Sequence, residues 1–177
     1  LIQTIGFFLI KTMKYKFQII SVLFIVFSSL FFIWLHHPLP KYKGEKTLEG
    51  INATVDVYTD SFGVPHVFAQ NEKDLFFTAG YLAARERLFQ LSMVAYVVKG
   101  EMALNLGDDY LDTDIFIRTW RIHDTAKKMV AKMKPQNKKI FDHFCAGINY
   151  RIDEIKKDLP IEFKILTHRD EKELEAR

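Results

Sequence analysis

A chain of 177 residues that is 49% hydrophobic and 14% aromatic has room for one packed domain, or part of one, and is too apolar to stay disordered. Its formal charge of +3 comes from Lys11, Lys14 and Lys16; residues 38–177 carry 22 basic and 22 acidic side chains, a balance that argues against a nucleic-acid-binding face. The single cysteine, Cys145, excludes an internal disulfide framework.

The chain opens on Leu1, and Met13-Lys-Tyr-Lys ahead of an apolar run reads as a start, with residues 1–12 as upstream sequence. From Phe17 to Leu35 there is no charged residue. A helix of that length rises about 28 Å, close to the thickness of a bilayer's hydrocarbon core. The run is longer than a usual signal-peptide core, and His36-His-Pro-Leu-Pro offers no Ala-x-Ala site, so an uncleaved anchor is expected over a cleaved signal. Lysines flank the run on both sides and do not fix its orientation. The expected organisation is an N-terminal extension with a transmembrane anchor or signal peptide over 1–37, a proline-bearing linker over 38–46, and a domain over 47–177.

Thr54-Val-Asp-Val-Tyr alternates with period two and predicts a strand with one buried face. Asp60-Ser-Phe-Gly predicts a turn, and Val64 to Ala69 the returning strand, which lies at an edge because Pro65 has no amide to donate. Asn71 predicts a helix cap, with Asp74 in the position of a capping-box acid. The helix runs to Gly100, burying Leu75, Ala79, Leu82, Phe89, Met93 and Tyr96; Phe76, Phe77, Tyr81, Leu88, Phe89 and Val97 spread further apolar surface around it. Gly80, mid-helix, predicts a close approach of a neighbouring backbone. A short helical turn over 101–106 stops at Gly107. Residues 108–114 are acidic but lack the glycine and the final glutamate of a calcium loop, so Asp112 is read as a cap for a helix over 115–133. Ile140, Phe141, Phe144, Cys145, Ile148, Ile152 and Ile155 stripe another helix, which ends at Leu159-Pro160. The last ten residues are highly charged, with no core position.

These residues hold no complete active site. Outside the apolar run the serines are Ser61 and Ser92, neither in a Gly-x-Ser-x-Gly elbow. Cys145 lies on the apolar stripe with His143 on another side of the helix, the pattern of a structural thiol. His66, beside the glycine turn, reads as a hydrogen-bonded core histidine. Arg85 and Arg87 read as partners of carboxylates such as Glu86 or Asp74. No histidine pair has metal-ligand spacing.

Four successive blocks resemble the α-chain of the penicillin acylases. The first is Asp60, Gly63, Val64, Pro65, His66 and Val67. The second is Asp74, Leu75, Gly80, Tyr81, Ala84, Arg87, Leu88 and Gln90. The third is Gly100 and Gly107, with Asp114 and Arg118. The fourth is Ala146, Gly147, Asn149, Leu159, Pro160, Glu162, Phe163 and Leu166. They cover residues 48–168 in order. Two departures stand out: Glu86 replaces an aspartate, and Asn105 stands where the short helix would carry a glutamate. The resemblance implies an α+β chain forming part of an αββα N-terminal nucleophile hydrolase fold, in which the residues named act as scaffold. It implies a serine nucleophile on a β-chain cut from the same precursor, hence no catalytic, cofactor or metal residue in this chain, and calcium as a possible ligand of the complete protein. The partners it implies are that β-chain and a small N-acyl amide such as a penicillin or an acyl-homoserine lactone; the apolar run adds the membrane as a partner. The expected location is bacterial, membrane-anchored through that run, facing the periplasm or exterior. The alternative is a non-catalytic, membrane-tethered interaction domain.

Overall fold

The computed structural model describes residues 2–36 and 42–166, with side chains from 15–34 and 42–165. The chain divides into two compact units, Leu1–Leu39 and Pro40–Arg177. In the first, α1 (Ile2–His36) contains a span, Tyr15–Trp34, of mean hydropathy 2.3 with no part buried. By length and composition that span can cross a membrane. Ser21 and Ser29 donate their hydroxyls to the carbonyls of Phe17 and Ile25 four residues back, at 2.9 and 2.8 Å. Such bonds satisfy hydroxyls that hydrocarbon would leave unpaired.

In the second unit a hairpin, β1 (Asp56–Thr59) and β2 (Pro65–Phe68), precedes α2 (Glu72–Lys99), α3 (Met102–Leu106), a 3-10 turn (Asp108–Tyr110), α4 (Leu111–Thr119), α5 (Ile122–Ala131), α6 (Pro135–Ile155) and α7 (Ile161–Leu166). The strands pair antiparallel, Val57 opposite Val67 and Thr59 opposite Pro65. They form a two-stranded sheet on their own, so the expected buried face of β1 is absent: Asp56, Val57 and Tyr58 are all exposed. Thr54, Val55 and Ala69 fall outside the strands.

The core is the α2–α6 pair. Ala84 and Leu88 of α2 meet Ile148 and Ile152 of α6, and Leu159 and Phe163 close the end of the cluster. Phe163 stands edge-on to Phe89 at 5.2 Å. The stripe read from periodicity is partly misphased. Leu82 and Tyr96 are buried, but Leu75, Ala79, Phe89 and Met93 are only half-buried, while Phe77, Tyr81 and Leu88 lie in the core. The glycines set the phase. The inward face of α2 is the one carrying Gly80, which α6 approaches most closely, and a kink at Arg87 (φ −140°, ψ 30°) resets the phase again. Where the pattern predicts one helix over 115–133, the chain breaks at Arg121, whose φ of 55° is left-handed. No proline or glycine marks that break. Asp112 is not a cap either: α4 begins after Tyr110, and Asp112 sits inside its first turn, where an acid suits the helix dipole. The charged last ten residues lie outside the described residues.

Candidate functional site

Several of the side chains singled out from the sequence gather at four junctions. At the hairpin turn, Asp60 Oδ1 accepts the amides of Phe62 and Val64, both at 2.9 Å, and Oδ2 faces His66 Nε2 at 3.1 Å. Gly63, at φ 81°, donates its amide to the Asp60 carbonyl. His66 and the Val64 and Phe62 amides hold the Asp60 carboxyl below its ordinary range. His66 is hydrogen-bonded but exposed rather than buried in a core, because the sheet has no second layer here. Pro65 opens β2 opposite Thr59, where a missing amide costs no interior ladder bond.

At the start of α2, Asn71 Oδ1 accepts the Asp74 amide at 2.9 Å. Asp74 is fully buried and turns outward from the helix: it accepts the amides of Asn52 (3.0 Å) and Ala53 (2.9 Å) and the Asn71 side-chain amide (2.7 Å). Burial pushes this carboxyl up, but the three donors outweigh it and leave the pKa below the ordinary value. A residue expected as a local cap thus also staples the incoming chain to the helix.

At the α2–α6 crossing, Gly80 and Gly147 answer each other. A Cβ at Gly80 would lie 2.0 Å from the Phe144 carbonyl oxygen, and one at Gly147 would lie 1.9 Å from that of Phe77. Beside this crossing Tyr81, Lys46, Glu154 and Arg151 form a cluster that sequence reading missed. Lys46 donates to the Tyr81 hydroxyl at 2.8 Å and pairs with Glu154; Tyr81 donates to Glu154 at 3.1 Å and Arg151 does so at 2.5 Å. Burial opposes both charges, yet their mutual bonds raise the Lys46 pKa and lower that of Glu154. No local pattern announces a set of partners this far apart in sequence.

The fourth junction repeats the second. Buried Asp114 accepts the consecutive amides of Met102 and Ala103 at 2.9 and 2.8 Å, supplying α3 with the cap its own residues lack. Arg118 Nε donates to the Gly100 carbonyl at 2.8 Å. Asn105 is wholly buried; its Nδ2 donates to the Glu101 carbonyl at 2.7 Å and its Oδ1 has no partner among the described residues. Gly107 ends α3 at φ 108°. Arg87 marks the α2 kink and Gln90 is exposed; Asn149 lies on α6; Pro160 precedes α7, where Glu162 is exposed and Phe163 buried. Arg85 does pair with Glu86, at 2.7 Å.

Among the described residues, no group of three His, Cys, Asp or Glu side chains converges as a metal site would need. Cys145 is half-buried, its thiol pushed up by burial and by Asp142, the reverse of an activated nucleophile. Ser61 is exposed at the hairpin turn and Ser92 is buried along α2.

The sequence model of one family, penicillin amidase, matches residues 54–175, which takes in the hairpin turn and the helices of the other three junctions but not Lys46, Asn52 or Ala53. The chain belongs to the penicillin amidase family. Family relatives include penicillin G acylase of Escherichia coli, 29% identical over 73% of this chain, and the penicillin acylase 2 proenzyme of Pseudomonas sp. strain SE83, 28% identical over 75%. An acyl-homoserine lactone acylase of Pseudomonas fluorescens is 27% identical over 69%. The chain spans only 14%, 17% and 15% of these three relatives' lengths. A solved structure of a thermostable penicillin G acylase from Alcaligenes faecalis matches 65% of this chain and 64% of its own with a TM-score of 0.56 at 29% identity. The penicillin amidase likeness therefore extends from motif to fold: a mostly helical α+β unit with one antiparallel hairpin.

Proposed function

We propose that this chain is the N-terminal, α-chain portion of an amide hydrolase and that its four junctions are scaffold rather than catalytic machinery. The observation that carries this reading is one of proportion. Similar lengths of this chain fill 64% of the solved Alcaligenes chain but only 14% of the Escherichia coli relative, so the solved chain is a far shorter polypeptide. A short chain beside a long precursor is what cleavage into two chains leaves, and one relative is named a proenzyme. The hairpin supports the same reading, since its two strands have no further strand beside them among the described residues. A sheet from a downstream β-chain would extend it into the αββα sandwich.

In this reading the β-chain begins with a serine whose free α-amino group, with a pKa near 8, serves as base for its own hydroxyl. The hydroxyl attacks a linear amide, pre-aimed donors stabilise the oxyanion, and the amine and acid leave in turn. The substrate class we propose is N-acyl compounds such as penicillins and acyl-homoserine lactones, a reading supported by the names of the relatives. Calcium, if bound, belongs to the complete protein. The apolar span of α1 anchors it in a bacterial envelope, facing the periplasm.

Co-expression with the downstream polypeptide tests the proposal. The two chains together hydrolyse phenylacetyl amides or acyl-homoserine lactones, serine-to-alanine replacement at the downstream chain's first residue abolishes turnover, and the present chain alone is inactive and prone to associate. Turnover by this chain alone, lost on Ser61→Ala or Cys145→Ala, overturns it. A sharp cooperative melt of the lone monomer favours a self-sufficient, membrane-tethered interaction domain instead.

A further inference from the structure

The balanced charge of residues 38–177 conceals a strong local imbalance. Between Ile115 and Phe141 stand eight lysines and arginines against one acid, Asp124. Arg121 and Lys138 are committed to Asp124 and Asp142, and Arg118 to the Gly100 carbonyl. Lys128, Lys132, Lys134 and Lys139 make no ion pair among the described residues. The same stretch exposes large apolar side chains. Phe116 and Trp120 lie tilted against each other, ring centroids 6.0 Å apart, on the outside of α4, with Trp120 68% exposed. Ile122, Met129 and Val130 share one side of α5, with Met129 67% exposed, and no residue of α5 is buried.

We infer that the α4–α5 elbow is a membrane-surface contact, with Trp120, Met129 and Val130 entering the interface of an anionic bilayer and the lysines of α5 and the turn after it meeting lipid headgroups. Three observations choose this occupant over another protein chain. Lysine is depleted at the cores of protein–protein interfaces, whereas lysines around an apolar face that ends in tryptophan are the composition of helices lying on anionic lipid. Eight of the 22 basic side chains of residues 38–177 fall within residues 115–141 beside a single acid, although residues 38–177 carry no net charge overall. The chain also carries a span of membrane-crossing length. The inference rests on the anchored placement proposed above.

The test uses this chain produced with its downstream polypeptide and reconstituted in phosphatidylcholine vesicles with or without about a third phosphatidylglycerol. The photo-cross-linker benzoylphenylalanine replaces Trp120 or Met129, and Phe62 in the hairpin as a control. Expected are lipid adducts from positions 120 and 129, at least about threefold stronger with phosphatidylglycerol, weakened by about 0.5 M NaCl and by the joint change Lys127→Glu, Lys128→Glu and Lys132→Glu. Those lysines are exposed, so circular dichroism of the reversed protein should be unchanged. Adducts to the downstream chain or to another protein, or lipid adducts that ignore lipid charge, overturn the inference. A carbonate wash separates the two readings: release from both kinds of vesicle refutes the anchor alone, and the surface contact is then judged by the adducts of the released protein added to anionic vesicles.

Discussion

The α2–α6 pair and the β1–β2 hairpin are neighbours in sequence and opposites in physics. The helix pair meets through two glycines set against each other's backbone carbonyls and buries a continuous cluster from Ala84 to Phe163. The hairpin buries neither face, and Tyr58, Phe62 and Phe68 stand in solvent. Yet its turn is the more heavily wired of the two, since one carboxylate, Asp60, satisfies two amides and a histidine. The difference teaches that turn chemistry gives a hairpin its shape, while layers give it stability; isolated two-stranded sheets are marginal in water.

The comparison breaks most visibly at the glycines. Gly147→Ala, and Gly80→Ala with it, should force α2 and α6 apart and cost about 3 kcal/mol or more, because the obstructing atoms are backbone and cannot rotate away. Chemical denaturation checks this; a loss under about 1 kcal/mol would mean that the helices slide apart cheaply.

Asp74→Ala should come next, at about 2 kcal/mol, since it removes a buried carboxylate's hydrogen bonds to the part-buried amides of Asn52 and Ala53 and with them the tie between residues 52–53 and α2. Its pH dependence has a definite sign. The folded pKa is depressed, so the carboxylate's contribution is complete above the ordinary value of 3.8 and fades as pH falls through the lower folded value. The parent protein should therefore lose stability in that acid window more steeply than the Asp74→Asn variant.

Within the hairpin, Gly63→Ala should cost about 1 kcal/mol locally, because φ of 81° strains any residue with a Cβ even though the space around it is open. Amide exchange at Tyr58 and His66, which the register makes a hydrogen-bonded pair, should quicken while that of α6 stays unchanged. If the whole molecule loosened equally, hairpin and helix pair would be one cooperative unit and the contrast would fall. The smallest effect is expected of Glu154→Gln, at about 0.5 kcal/mol, as its partly exposed ion pairs with Lys46 and Arg151 are screened by water. The loss should shrink further in high salt.

Much of this architecture was already legible in the residues. The Asn71 cap, the left-handed Gly100 end of α2 and the tight turn at Gly63 follow from backbone chemistry that acts within a few residues, which is why reading along the chain finds them. Gly80 likewise announced a close neighbour, though not that the neighbour would be Phe144 or that Gly147 would return the contact. Only tertiary structure decided which side of α2 faces inward. An apolar side chain occurs at most positions of that helix, so periodicity left several faces open, and the glycine crossing and the Arg87 kink chose among them. The break at Arg121 and the capping of α3 by Asp114 from the next helix were equally beyond local reading, as no breaker or cap residue stands where the effect occurs. The buried face expected of β1 was the converse case. Alternation in sequence records a face made to be covered, and a sheet covers it only when another layer of protein is there to do so.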